Sequence, residues 1–215
     1  MTLTHFAIIA VCAYLLGSLS FAIIVSKVTL GKDIRNYGSG NAGLTNAYRT
    51  MGAKKTLFVL LGDIAKGAAA VSVGWALGGP VGKLTAGIFV ILGHMFPLYF
   101  GFKGGKGIAT GFGVIVAFNW PTGIVGLVTA LAGAALSRRM SVGSIAAAVV
   151  FPIMFFFVKP DYFIWSVCLA VIVLWRHRAN IVRLAKGEEP PMSFSKKKDK
   201  DSAGAGTNGE HKKGE

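Results

Sequence analysis

Residues 6–25 read FAIIAVCAYLLGSLSFAIIV, a run without one charged side chain. As a helix, about 20 such residues rise roughly 30 Å, the thickness of a bilayer's hydrocarbon core. No basic stretch precedes the run, and no small-residue cleavage site leads from it into a soluble domain. It is therefore expected to remain as a helix and not to be removed as a signal peptide.

Six further apolar segments follow: Thr56 to Leu77, Leu84 to Phe100, Ile108 to Phe118, Thr122 to Leu136, Val142 to Val158 and Tyr162 to Trp175. Together they predict an all-α integral membrane protein, a bundle of seven transmembrane helices. Several fall short of the roughly 20 residues that cross a full core, so helix ends run into loops or the bilayer thins locally. The fourth is interrupted by Gly111 and Gly113. Were it and the fifth one re-entrant hairpin, every later loop would still keep its side. Composition agrees with lipid as the solvent: 53% of positions are hydrophobic, 15% are charged, and the mean hydropathy is +0.59.

Basic residues outnumber acidic ones 23 to 9, for a net charge of +14. In a membrane protein such an excess speaks of orientation and anionic partners, and no basic patch interleaved with aromatics points to nucleic acid. Assigned to alternating sides, one face collects Lys27, Lys32, Arg35, Arg49, Lys54, Lys55, Lys103, Lys106, Arg138, Arg139, Arg176, Arg178, Arg183 and Lys186. The other holds only Lys83 and Lys159. The positive-inside rule then puts the amino terminus outside and the carboxyl terminus in the cytoplasm. Residues 1–194 are expected to form a single transmembrane domain and 195–215 a disordered polar tail. Cys12 and Cys168 lie in apolar segments as packing residues, without disulfide or zinc spacing.

The chemistry-bearing residues all fall on the basic face. GSGNAGLTNAYR, residues 38–49, offers exposed backbone amides, two hydroxyls, two side-chain amides and a guanidinium. Glycines let backbone approach an anion closely, and Arg49 can grip two oxygens. The plainer reading is a polar linker with a helix cap at Ser39 or Thr45. The stretch GHMFPLYFGFKGGKGIAT, residues 93–110, carries Lys103, Gly104, Gly105 and Lys106 ahead of a new helix, where helix-end amides and lysines both favour anions. It is not a nucleotide P-loop, since the frame that starts at Gly101 has Lys106 where a glycine is required. Arg138 and Arg139 are explained by topology, and Ser141 and Ser144 can cap the helix after them. In the last segment His177, Asn180 and Leu184 share one helix face. Asp63 and Lys66, at i, i+3 spacing, read as a structural ion pair facing the bundle.

In this order the motifs GSGNAGLTNAYR, D-x-x-K-G from Asp63, GHMFPLYFGFKGGKGIAT, RMSVGS from Arg139 and HRANIVRLAKGEEP from His177 resemble the bacterial acyl-phosphate:glycerol-3-phosphate acyltransferase family, over Tyr14 to Pro190. The resemblance implies seven transmembrane helices in the inner membrane, an active site on the cytoplasmic face, and acyl transfer from acyl phosphate to the 1-hydroxyl of glycerol 3-phosphate. Lysophosphatidic acid and phosphate would be the products, in the first step of phospholipid synthesis. It implies no metal or cofactor. Membrane lipid and the enzyme that supplies acyl phosphate would be its partners. The H-x-x-x-x-D pair of other glycerophosphate acyltransferases is missing, for Ala10, Tyr99 and Val182 lie five residues beyond His5, His94 and His177.

Donor type and the resemblance together nominate Ser39, Arg49, Lys106, His177 and Asn180 as the catalytic set. Asn41, Thr45, Asn46, His94, Lys103, Gly104, Gly105, Thr110, Arg139, Ser141 and Ser144 are the expected substrate-binding residues. Within that set, Ser39, Asn41, Thr45, Asn46, Gly104, Gly105 and Thr110 are expected around the acyl phosphate. Arg49, Lys106, Ser141, His177 and Asn180 are expected around glycerol 3-phosphate. Proton removal is assigned to the donor's own phosphate, with His177 holding the acceptor. The competing class is a transporter or channel for a phosphorylated metabolite. Such proteins place cationic groups near the bilayer midplane and often contain repeats; here the donors lie at one face and no repeat is seen.

Overall fold

The computed structural model describes residues 2–192, so the predicted tail lies outside the described residues. Among those residues every regular element is a helix or a short 3-10 turn. Helix α1 (Leu3–Gly17) starts on Thr2, whose hydroxyl accepts from the His5 amide. Helix α2 (Phe21–Leu30) ends at Gly31 in the left-handed region. The first apolar run is thus two helices, broken at Ser18 to Ser20. Ser18 turns its hydroxyl back to the Tyr14 carbonyl at 2.8 Å, and the carbonyls freed at Gly17 and Leu19 accept from the Lys66 ammonium at 3.0 and 2.7 Å. A backbone break inside lipid requires such a partner.

Helix α3 (Leu44–Met95) carries the next two apolar segments as limbs of one hairpin, with left-handed glycines at Gly52 (φ 77°) and Gly79 (φ 58°). The chain reverses at Gly79, immediately before Pro80. Below the turn Gly74 and Gly82 sit backbone against backbone, where a Cβ on either would strike the other's carbonyl. Helices α4 (Ile108–Phe118), α5 (Trp120–Ser137), α6 (Met140–Val158), α7 (Phe163–Arg176) and α8 (Arg178–Ala185) complete the chain. Close approach is set by small residues: Gly93 of α3 on Tyr14 of α1, Gly113 of α4 on Ile64, and Gly143 of α6 on Ala130 of α5. Without a hydrophobic drive between helices in lipid, such contacts supply the packing energy.

The α1–α2 run, α3, α5 and α6 are each long and apolar enough to cross a membrane. Their outward faces are greasy: Val11, Phe58, Trp75, Leu131 and Phe157 are all exposed. A water-soluble protein does not leave so continuous an apolar surface. Inside, Phe118 stacks on Trp165 at 4.2 Å and meets Phe155 edge-on at 6.5 Å, which joins α4, α6 and α7.

Candidate active site

Four stretches of chain meet at one end of the bundle. The first is the segment after α2, where a 3-10 turn (Ile34–Asn36) leads to Ser39, Gly40 and Asn41. It is held from below by Asn46, whose carbonyl oxygen accepts from the Ser39 amide at 2.9 Å while its amino group donates to Ile34 and Tyr37 carbonyls at 3.1 and 3.0 Å. Buried and fully bonded, Asn46 shapes the loop and has no group left over for a ligand. Thr45, Asn46 and Arg49 lie on the first turns of α3, not in a loop, because Gly43 already starts the helix.

The second stretch runs from Gly101 to Gly107. The amides of Gly104 and Gly105 donate to Met95 and His94 carbonyls, both at 3.2 Å, closing the end of α3. Those amides are therefore spent on the fold. The two glycines serve by lacking side chains: a Cβ on Gly104 would strike the His94 carbonyl, and one on Gly105 the His94 Nε2. His94 is itself buried, its Nδ1 3.0 Å from Lys66 Nζ, which pairs with Asp63 at 2.8 Å. It supports the glycine pair from beneath. Thr110 is buried in the first turn of α4, its hydroxyl without a partner among the described residues.

Ser39, Gly40 and Asn41 face Phe102, Lys103 and Gly104 across an open depression of about 270 Å³, with Arg176 at one side. Arg176 donates to the Gly105 carbonyl at 3.0 Å and lies over the Phe96 ring.

The third and fourth stretches meet beside this depression. Lys106 Nζ donates to Asn180 Oδ1 at 2.6 Å, and Asn180 Nδ2 donates to Glu189 Oε1 at 2.6 Å. The other Glu189 oxygen accepts from Arg183 at 2.8 Å, and its backbone carbonyl from Arg139 at 2.9 Å. Met192 N donates to the Arg138 carbonyl at 2.7 Å, so the chain after α8 folds back across the α5–α6 turn. Ser141 is buried beside Glu189, whose carboxyl stays below the usual range despite burial because Asn180 and Arg183 hydrogen-bond to it. Ser144 is turned back to the Met140 carbonyl at 3.0 Å and serves its own helix.

Burial pushes Lys106 down to about 8; Glu189 opposes this, while the charges of Arg183, Arg176 and Arg49 add to it. Arg49, an exposed residue, is thus within electrostatic reach of Lys106. His177 is buried and its Nδ1 lies 2.8 Å from the Val173 carbonyl, which fixes the proton on Nδ1 and leaves a lone pair on Nε2. Burial carries it down to about 4, and the neighbouring Lys106 and Arg176 charges outweigh Glu189 in the same direction. It is neutral at physiological pH.

The structure therefore gathers Ser39, Asn41, Lys103, Lys106, Arg49, Ser141, His177, Asn180 and Arg139 at one end. Asn46, His94, Gly104 and Gly105 lie beneath them as support. Sequence reasoning did not single out Glu189, Arg176, Arg183 or the Asp33–Arg35 pair as site residues. The GEEP run after the last helix was the one available signal for Glu189. Among the described residues no three His, Cys, Asp or Glu side chains gather as a metal site would require.

An all-helical protein with lipid-facing sides and a cationic, amide-rich depression at one end is a membrane-embedded protein built to handle anions. A profile described as glycerol-3-phosphate acyltransferase matches residues 7–187, and the chain belongs to that family. It is 42% identical over 185 residues to a glycerol-3-phosphate acyltransferase of Paramagnetospirillum magneticum, covering 86% of this chain and 92% of the relative. With one of Thioalkalivibrio sulfidiphilus it shares 44% over 183 residues, covering 84% and 90%. Its fold is similar to crystal structures of PlsY (YgiH), an integral membrane glycerol 3-phosphate acyltransferase. The TM-score is 0.82 to the glycerol 3-phosphate form, at 33% identity, covering 87% of this chain and 96% of that one. To the lysophosphatidic acid form it is 0.80, at 30% identity, covering 88% and 96%.

Proposed function

We propose that this protein, a glycerol-3-phosphate acyltransferase, takes its acyl group from acyl phosphate and passes it to the 1-hydroxyl of glycerol 3-phosphate. The observation that carries the reading is the meeting of Lys106 with Asn180 and Glu189 from a distant part of the chain, beside a depression walled by Ser39, Asn41 and Lys103. Two phosphates have to sit side by side for this reaction, and two adjoining groups of donors are available. The depression takes the donor's phosphate. Arg49, Lys106, Ser141, His177 and Asn180 hold the acceptor, and Arg139 holds Glu189 in place.

The donor is a mixed anhydride, already activated. The 1-oxygen attacks the acyl carbon, an ester bond forms, the bond from acyl carbon to phosphate oxygen breaks, and inorganic phosphate leaves. Orientation of the attacking hydroxyl can supply roughly 7 to 11 kcal/mol of the barrier reduction. The hydroxyl proton passes to an oxygen of the donor phosphate. His177 is poorly suited to take it, because a base held near 4 is mostly unprotonated yet weak at neutral pH. Its Nε2 lone pair instead accepts a hydrogen bond from the acceptor and orients it.

In this reading seven transmembrane passes place the amino terminus outside and the site at the cytoplasmic face of the inner membrane. Residues 1–194 act as one unit, the tail is dispensable, and the enzyme that makes acyl phosphate delivers it from the cytoplasm. The excess of basic loops on that face supports the orientation. The test is purified protein with acyl phosphate and labelled glycerol 3-phosphate, with acyl-CoA in a parallel tube. Labelled lysophosphatidic acid only with acyl phosphate supports the donor assignment; product only with acyl-CoA refutes it.

A further inference from the structure

The two walls of the depression come from parts of the chain more than sixty residues apart, and one side chain joins them. Arg35 sends Nε and Nη2 to the Asp33 carboxylate at 3.0 and 2.8 Å, and Nη1 to the carbonyls of Phe100 at 2.5 Å and Lys103 at 3.3 Å. All three guanidinium nitrogens are engaged. Its charge is matched by Asp33, and the Arg35 hydrogen bonds hold that carboxyl below its ordinary value. A neutralised, fully bonded guanidinium is not a phosphate grip.

The position of its carbonyl partners is informative. Phe100 and Lys103 flank Gly101 and Phe102, both in the left-handed region at φ 66° and 60°. Phe102 lines the depression, and a left-handed backbone is costly for a residue with a Cβ. Such a conformation persists only when its surroundings hold it. On the other side Asp33 caps the turn Ile34–Asn36, which is pinned by fully buried Ile34 and leads directly to Ser39 and Asn41. A single rigid fork thus fixes the strained turn of one wall to the base of the other.

We propose that the Asp33–Arg35 pair is a positioning element that sets the spacing between the Ser39–Asn41 and Phe102–Gly104 walls, and so governs binding of the donor's phosphate without touching it. This rests on the reading of the depression as the donor site. Lysine cannot substitute, since one ammonium cannot reach a carboxylate in bidentate fashion and two carbonyls together.

The test compares wild type with Arg35→Lys and Asp33→Asn, in detergent or nanodiscs. Steady-state constants are measured for each substrate, and amide hydrogen exchange is followed in peptides over 33–43 and 98–106. The expected result is a KM for acyl phosphate raised about tenfold, a KM for glycerol 3-phosphate within about twofold of wild type, and faster exchange in both peptides together. Equal shifts in both KM values, unchanged KM with merely lower yield, or faster exchange confined to the 33–43 peptide would overturn the proposal. Should wild type prove inactive with acyl phosphate, the donor assignment fails; the exchange comparison needs no substrate and still decides whether the pair ties the walls.

Discussion

The Lys106 ammonium and the Asn180 side-chain carbonyl, 74 residues apart in sequence, meet at 2.6 Å. Because Asn180 also donates to Glu189 at 2.6 Å, its amide can face only one way: oxygen to the cation, nitrogen to the carboxylate. Asn180→Ala leaves both neighbours without this partner in a buried setting, where each lost partner costs about 1 to 3 kcal/mol. We expect kcat/KM for glycerol 3-phosphate to fall about 10- to 100-fold, measured by lysophosphatidic acid formation. Wild-type kinetics in this variant would mean that the contact plays no part in the reaction.

Lys106 loses its proton near pH 8 in the free protein. Below that value it is cationic and able to hold a phosphate; above it the attraction is lost. The pH dependence of kcat/KM reports groups in the free enzyme, so it should fall on the alkaline side of about 8. Lys106→Arg keeps its charge throughout and should remove this limb, whatever its absolute rate. A limb that persists unchanged in the arginine variant would assign it to another group.

Glu189 offers a test in acid. Its folded-state value lies below the ordinary glutamate value of 4.5, so its contribution to stability is present above that value and lost as the pH falls through the folded one. The thermal midpoint of the detergent-solubilised protein should drop on acidification below about pH 4.5, and by less in Glu189→Gln, which has no carboxylate to protonate. Identical acid profiles for the two proteins would remove Glu189 from the account.

Much of this arrangement was legible along the chain, and what was not has a common cause. Apolar runs report burial in lipid locally, so the segments from Thr56 onward coincide with helical limbs and the loop residues Ser39, Lys106 and His177 fall at one end. The break at Ser18 to Ser20 was hidden, because it depends on Lys66 reaching across from another helix to take the carbonyls of Gly17 and Leu19. Glu189 stood only as one member of the GEEP run until the chain's return over the α5–α6 turn made it the hub of Asn180 and Arg183. Arg35 counted only as a topological charge, since its role lies in carbonyls contributed by a distant loop. Gly104 and Gly105 were expected around the acyl phosphate; in the structure their amides close α3, so what they bring to the loop is the space they leave and not free donors.

That last distinction can be tested directly. If Gly105 acted by offering its amide to a phosphate, alanine would keep the N–H and cost little. If it acts by absence of a side chain, the new Cβ is driven against His94 Nε2 and lies 2.9 Å from the Ala42 carbonyl. His94 is buried and fixed by Lys66, and the Ala42 oxygen is backbone, so neither can swing away. The loop must then move, and Lys106 is the next residue. A displacement of about 1 Å at a reacting centre can cost on the order of 100-fold in rate, so Gly105→Ala should lose kcat/KM on that scale. Gly111→Ala is the control: on α4, its Cβ would meet only the Ile91 side chain at 3.8 Å, ordinary contact, and replacing a helical glycine should leave the protein neutral or more stable by up to about 1 kcal/mol. Near-normal kinetics for both variants would show that the loop has room to spare and that the tight seat of Gly105 on His94 is not what places Lys106.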